Sequence, residues 1–456
     1  MYTDQEITEI KNYAVKHVCP HFANNRDLDD HPTVIVRSDD CYVFDIEGRR
    51  YLDTFASLLT TVCGHNNQDI IEAINKQLNI LDFFPNFGSC FSLPQVELAK
   101  KLKEVLPDGL TAIFYVNSGS EANETALKIA RQYHIESGRP DKYKVIGRKG
   151  SYHGTTLGAI SATGLPWFSE YFKPGIPGYF LAPSARCAHC DLGLKPAVCG
   201  MKCLSEMERL ILENDPNTVS AIIMDPLPGS NTGYPIPPDG YLQGVRDLCD
   251  KYDIMLIFDE VQTGFGKSGE MFVCQYFDVI PDILTLGKGF SGGYIPLGAA
   301  VMRQDIYDAF RSAPGKELRS GSTFGGHNVA CASAIACLDY IKKHNLLDNV
   351  KDISAYIVDK LKALMDKFMF IGAISGVGLL LSVELCKERE GLVPFDKEMG
   401  VGNFVQKYCY DNGLIMRNNG DIMVIAPSLT FTKEHADTMI DVFEKALIET
   451  KKHFDL

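Results

Sequence analysis

No apolar run in this chain of 456 residues approaches the roughly 20 residues that a membrane-spanning helix needs, so no span is expected. A surplus of positive charge is also missing. The formal net charge is -13 and the pI is near 5.4, whereas neutralising nucleic-acid phosphates requires a clustered basic face. Small molecules are the expected partners, with neither nucleic acid nor membrane among them. The opening Met1-Tyr2-Thr3-Asp4-Gln5-Glu6 lacks the basic and apolar regions of a secretory signal, which makes a cytoplasmic location the expectation. Repeats of solenoid period are absent, and no Ser/Gly-rich or charged linker divides the chain. Its segments should share one core.

What is present falls in the ordinary soluble globular range rather than the disordered or fibrous one: 45% apolar, 23% charged and 10% aromatic residues. Between about residues 110 and 305, short β-branched runs alternate with helical patterns, the mark of a mostly parallel sheet flanked by helices. The expected strands are Ala112–Asn117, Tyr143–Gly147, Ser220–Met224, Ile254–Phe258 and Ile283–Leu286. Before them, Tyr42 to Asp53 reads as two strands joined at Gly48. After Phe324 the pattern turns to helices and a few strands. It ends in Thr438–Phe454, where Met439, Ile440, Phe443, Ala446 and Leu447 share one helical face. The expected division is residues 1–65 as the N-terminal segment of a small α+β lobe, 66–318 as the large domain and 319–456 as the C-terminal small domain.

Two strand ends carry the chemistry. Ile254 to Phe258 runs into Asp259-Glu260, and ligands of open α/β sheets bind beyond the carboxyl ends of the strands. Ile283 to Leu286 delivers Lys288 between Gly287 and Gly289, which leave room for something bulky. An amine beside a carboxylate meets the two main needs of pyridoxal phosphate: an imine partner and a counter-ion for the ring nitrogen. Asn117 to Leu127 supplies a strand end, a glycine turn and a helix start, where free N–H groups can receive a phosphate. Ser118 to Glu121 also fits an ordinary capping box, the plainer alternative. Tyr152-His153-Gly154 can lay an aromatic ring on a planar cofactor, against the plainer reading of an exposed loop tyrosine.

Over nearly its whole length the chain resembles the class III, or ω-amino acid, aminotransferases of the fold-type-I pyridoxal-phosphate enzymes. The carriers are Asn117 to Ala122, Tyr152 to Gly154, Phe258-Asp259-Glu260-Val261-Gln262-Thr263-Gly264-Phe265-Gly266, Gly287 to Gly289 and Ser322 to Gly326. The resemblance implies that Lys288 binds the cofactor covalently as an imine, Asp259 pairs with the ring nitrogen, and Gly119 and Ser120 hold the phosphate. It further implies that Tyr152 stacks on the ring, that Val261 and Gln262 line its other face and phenolic side, and that Thr323 reaches the phosphate of a neighbouring subunit. A homodimer or dimer of dimers with shared sites follows.

Leu414 to Asp421 resembles the segment whose arginine binds the carboxylate of the amino donor or keto acceptor and swings away for bulky amines, which assigns that part to Arg417; a surface salt-bridge arginine is the alternative. Asp225-Pro226-Leu227-Pro228-Gly229 departs from the family's common Glu-Pro-Val-Gln-Gly. Ser230 then stands where ornithine and γ-aminobutyrate enzymes often carry a gating glutamate, which disfavours those two substrates. Ser320 and His327-Asn328 depart from the common pattern around Thr323. The resulting expectation is transfer of an amino group from an ω-amino acid or amine (β-alanine, taurine or similar) to a keto acid such as pyruvate, by ping-pong through pyridoxamine phosphate. An aminomutase or decarboxylase on the same fold, or a non-catalytic relic, are the alternatives. Phe83, Phe84, Phe87 and Leu58 are candidates for a donor pocket or for core.

Fourteen cysteines are many. Most, such as Cys63, Cys249, Cys274, Cys331 and Cys337, sit singly in apolar stretches as small hydrophobes. Cys187, Cys190, Cys199 and Cys203 have a spacing that Zn2+ can accept, with disulfides and free thiols as alternatives; reduced thiols fit a reducing compartment best, and no catalytic metal is expected.

Overall fold

The computed structural model describes residues 2–23 and 32–456. In chain order its strands are β1 (Ile35–Asp39), β2 (Tyr42–Asp45), β3 (Arg50–Asp53), β4 (Leu110–Val116), β5 (Lys144–Arg148), β6 (Tyr179–Ala182), β7 (Val219–Met224), β8 (Met255–Asp259), β9 (Ile283–Leu286), β10 (Gly298–Arg303), β11 (Ile371–Val377), β12 (Leu380–Leu385), β13 (Leu414–Ile415), β14 (Arg417–Asn419) and β15 (Ile422–Ile425). A seven-stranded sheet in the order β4-β10-β9-β8-β7-β5-β6 forms the centre. The pairs β6·β5, β5·β7, β7·β8 and β8·β9 are parallel, and β10 runs antiparallel to both β9 and β4.

Every residue of β7, β8 and β9 is buried. Strands covered on both faces need continuous apolar runs, and Val219 to Met224 and Met255 to Phe258 supply them. One cover is the helix Gly119–Glu136, which buries Ala122, Ala126, Leu127, Ile129 and Ala130 against the sheet. The expected sheet is therefore present with small shifts at its ends, and it includes two strands that the sequence pattern did not reveal, β6 and β10.

Two four-stranded sheets build the smaller lobe. In one, β1-β2-β3 is extended by β13, which pairs parallel to β3 through Leu414↔Leu52 and Ile415↔Asp53. N- and C-terminal parts thus interlace in one sheet. The other has the order β11-β12-β15-β14 and carries Arg417 on its edge. The final helix starts earlier than its apolar stripe suggested, at Lys433, capped by Thr432. Among the described residues no helix is long and apolar enough to cross a membrane.

Candidate active site

Period-two geometry separates the two acids at the end of β8. Glu260 turns into the protein and accepts the N–H groups of Val273 (2.6 Å) and Cys274 (2.7 Å) and the Thr263 hydroxyl (2.9 Å), so it anchors a turn. Asp259 faces a cavity of about 170 Å³. Its Oδ2 accepts from Asn123 Nδ2 at 2.7 Å and from His153 Nδ1 at 2.8 Å, and its Oδ1 accepts the Val261 N–H at 3.0 Å. Asn123 is itself fixed: Nδ2 also donates to the His153 carbonyl, and Oδ1 accepts from the Thr285 hydroxyl at the neighbouring strand end. Both side chains that bond the carboxylate, Asn123 and His153, are buried, as is Thr285 behind them. A buried acid held by this many donors keeps one orientation.

Lys288 opens a 3-10 turn directly after β9, with φ at 44°. That left-handed conformation is uncommon for a residue with a side chain and marks a strained position. The side chain lines the same cavity. Burial pulls its amine down from the ordinary lysine range to about 8; the Asp259 carboxylate opposes this and the Arg417 cation adds to it.

The helix Gly119–Glu136 begins at the cavity wall. Ser118 caps it by accepting the Glu121 N–H at 3.2 Å. The reciprocal half of the expected capping box is absent, because the Glu121 carboxylate reaches Asn117 N–H instead, at 2.8 Å. The first N–H groups of a helix have no partner within it, so those of Gly119 and Ser120 remain available. A Cβ on Gly119 would lie 2.6 Å from Val261 Cγ1, and one on Gly154 would lie 2.2 Å from Ser120 Oγ. Glycine at these two places keeps the cradle open.

Arg417 stands beside this cavity. Its guanidinium is half-buried, 5.3 Å from the centre of the Phe55 ring, and donates through Nη2 to Asn231 Oδ1 at 2.9 Å and to Asn419 Oδ1 at 3.2 Å. Its charge is felt at Lys288 and at Tyr152, whose phenol is raised by burial first and by Asp259 second.

One cavity therefore gathers Gly119, Ser120, Tyr152, Asp259, Val261, Gln262 and Lys288, together with Ser118, Asn123, His153, Gly154, Asp225, Leu227 and Gly229. Thr323 lies outside it and is exposed. Phe84, Phe87 and Leu58 are exposed rather than core and do not line the cavity, while Phe83 packs on Phe324 and His327. Asn123 and His153, the two side-chain partners of Asp259, were missed by the sequence reading. Asn123 stands four residues after Gly119, on the same helical face, and that offset was the available signal. The thiols of Cys187, Cys190, Cys199 and Cys203 are free and line a different cavity of about 230 Å³. Among the described residues only Asp40, Cys41 and His435 bring three metal-capable groups within 4.8 Å of one another.

Known proteins resemble this chain in sequence and in fold. The sequence profile described as aminotransferase class-III matches residues 23–447. The adenosylmethionine-8-amino-7-oxononanoate aminotransferase of Geobacter sulfurreducens is 36% identical over 449 residues, 97% of this chain and 98% of that protein. The putrescine–pyruvate aminotransferase of Pseudomonas aeruginosa is 33% identical over 450 residues, 98% of each. The solved structure of the omega transaminase from Pseudomonas jessenii in complex with PMP matches with a TM-score of 0.92 at 30% identity, over 97% of this chain and 98% of that one.

The fold is that of the fold-type-I pyridoxal-phosphate-dependent transferases. The chain belongs to the class III aminotransferase family, and its cofactor is pyridoxal phosphate. The donor set suits that group: an amine without a hydrogen-bond partner among the described residues, an oriented acid and a bare glycine cradle at a helix start.

Proposed function

We propose that this aminotransferase moves the amino group of an ω-amino acid or amine, such as β-alanine or taurine, to a keto acid such as pyruvate, in two half-reactions at one site. The observation that carries the reading is Arg417, a guanidinium beside the Lys288 cavity with no hydrogen bond from Nη1 to any described residue. An arginine with spare parallel donors suits a carboxylate. Pyridoxal phosphate, when bound, supplies an aldehyde that takes up the amino group and a ring that draws electrons from the substrate carbon.

The chain's own residues do the rest. Lys288 Nζ takes the substrate proton and returns it, and an amine near 8 exchanges protons at neutral pH without a large penalty in either direction. Asp259, oriented by Asn123 and His153, holds a proton on the ring nitrogen. The N–H groups of Gly119 and Ser120 bind the phosphate. Tyr152, Val261 and Gln262 enclose the ring and exclude water from it.

The active unit in this reading is a dimer. Leu78, Ile80, Phe84, Phe87, Phe91 and Leu93 are all more than 40% exposed, which leaves an apolar face to be covered. Phe87 packs against Gly321, two residues from Thr323, so Thr323 stands at that face and would meet the partner's phosphate. A panel of amines scored by alanine formed from pyruvate tests the substrate assignment. Turnover confined to α-amino donors would overturn it.

A further inference from the structure

Arg417 is held by neutral groups. Nη2 donates to Asn231 and to Asn419, Nε lies 3.4 Å from Asn419 Oδ1, and among the described residues no carboxylate stands at ion-pair distance. Asn231 sits on the short 3-10 turn Ser230–Thr232, and the Asn419 amide is fixed in turn. Asn419 Nδ2 donates to the Ser230 carbonyl at 2.7 Å, and the Ser230 N–H donates to Gln262 Oε1 at 3.2 Å, on the wall of the Lys288 cavity. The position of the guanidinium is thereby tied to the cofactor pocket through the Asn419 amide, the Ser230 backbone and the Gln262 side chain.

Hydrogen bonds to amide oxygens orient the planar fork without neutralising it. A carboxylate in the same place would have compensated the charge and would have to be displaced by any incoming anion. We infer that Asn231 and Asn419 are positioning residues that form an uncharged cradle, keeping the Arg417 charge available so that the site selects partners bearing a carboxylate in both half-reactions. The substrate class is a short chain with a carboxylate at one end and an amine or carbonyl at the other, which narrows the donors proposed above to ω-amino acids such as β-alanine. This inference rests on the reading of Arg417 given above. A carboxylate-free partner gains nothing from the arginine, and an apolar tail at this place faces an uncompensated cation.

The test uses the intact protein loaded with added pyridoxamine phosphate, with pyruvate and propanal as acceptors that differ by a carboxylate. In Asn231→Asp the new carboxylate falls on Nη2, and the half-saturating pyruvate concentration is expected to rise about tenfold or more while the maximal rate changes far less. The corresponding value for propanal is not expected to rise. Asn231→Ala, which removes a contact without adding charge, is expected to raise the pyruvate value by only about two- to fivefold. The cofactor's own absorption reports that each variant folds and loads.

Equal weakening of both acceptors, or an unchanged pyruvate value in Asn231→Asp, overturns the cradle. A wild-type protein that loads cofactor and uses propanal as readily as pyruvate overturns it alone. Failure of every form to take up cofactor overturns the underlying reading with it.

Discussion

Lys288 combines three features that rarely coincide: a left-handed backbone, a buried approach and an amine drawn down to about 8. Lys288→Ala is expected to reduce turnover by at least about 10³-fold with the thermal transition retained, which activity and calorimetry together check. Only the neutral amine condenses with an aldehyde, so the rate of cofactor uptake by cofactor-free protein should rise with pH and level off just above 8. A rise that continues to 10.5, the ordinary lysine value, would contradict the burial account. The linked stability has a definite sign. The folded chain gives up this proton near 8 and the unfolded chain near 10.5, so the unfolded state binds more protons between those values. The lysine's contribution to stability therefore improves as pH rises through that window. Asp259→Asn keeps the shape and removes the charge, and a fall in kcat of about 10²-fold or more is expected from steady-state rates. Lys288 and Asp259 were legible because each follows an apolar strand. Asn123 and His153 were not, since they meet Asp259 only across separations of 136 and 106 residues.

Among the elements, the turn between β4 and the helix Gly119–Glu136 leaves no room for a side chain at Gly119. Gly119→Ala places a methyl 2.6 Å from Val261 Cγ1, and one of them must move. A loss of about 1–3 kcal/mol in stability is expected from thermal melts, together with weaker cofactor binding by fluorescence titration. Unchanged affinity would show that this cradle does not hold the phosphate. The strands that lead to the site were readable because β7, β8 and β9 are buried on both faces and so are continuously apolar. β10 escaped because Gly298-Ala299-Ala300 carries little β preference and gains its place by pairing with β4 and β9 on either side. β6 is a four-residue edge strand, too short for a periodic signal.

At the scale of the whole molecule, the interlacing of β13 with β3 makes the small lobe a product of both chain ends, a contact that no local pattern announces. The apolar face around Phe84 and Phe87 predicts a dimer by sedimentation. Phe84→Asp combined with Phe87→Asp should shift it to monomer and weaken cofactor retention, because Thr323 lies at the same face. A native protein that sediments as a monomer with full activity would refute the shared site.

The proposed function depends on a covalent bond between one lysine and the cofactor aldehyde. Borohydride reduction of the pyridoxal-phosphate-loaded protein, followed by peptide mass spectrometry, should place the pyridoxyl adduct on Lys288. An adduct on another lysine, or none after loading, would contradict the account.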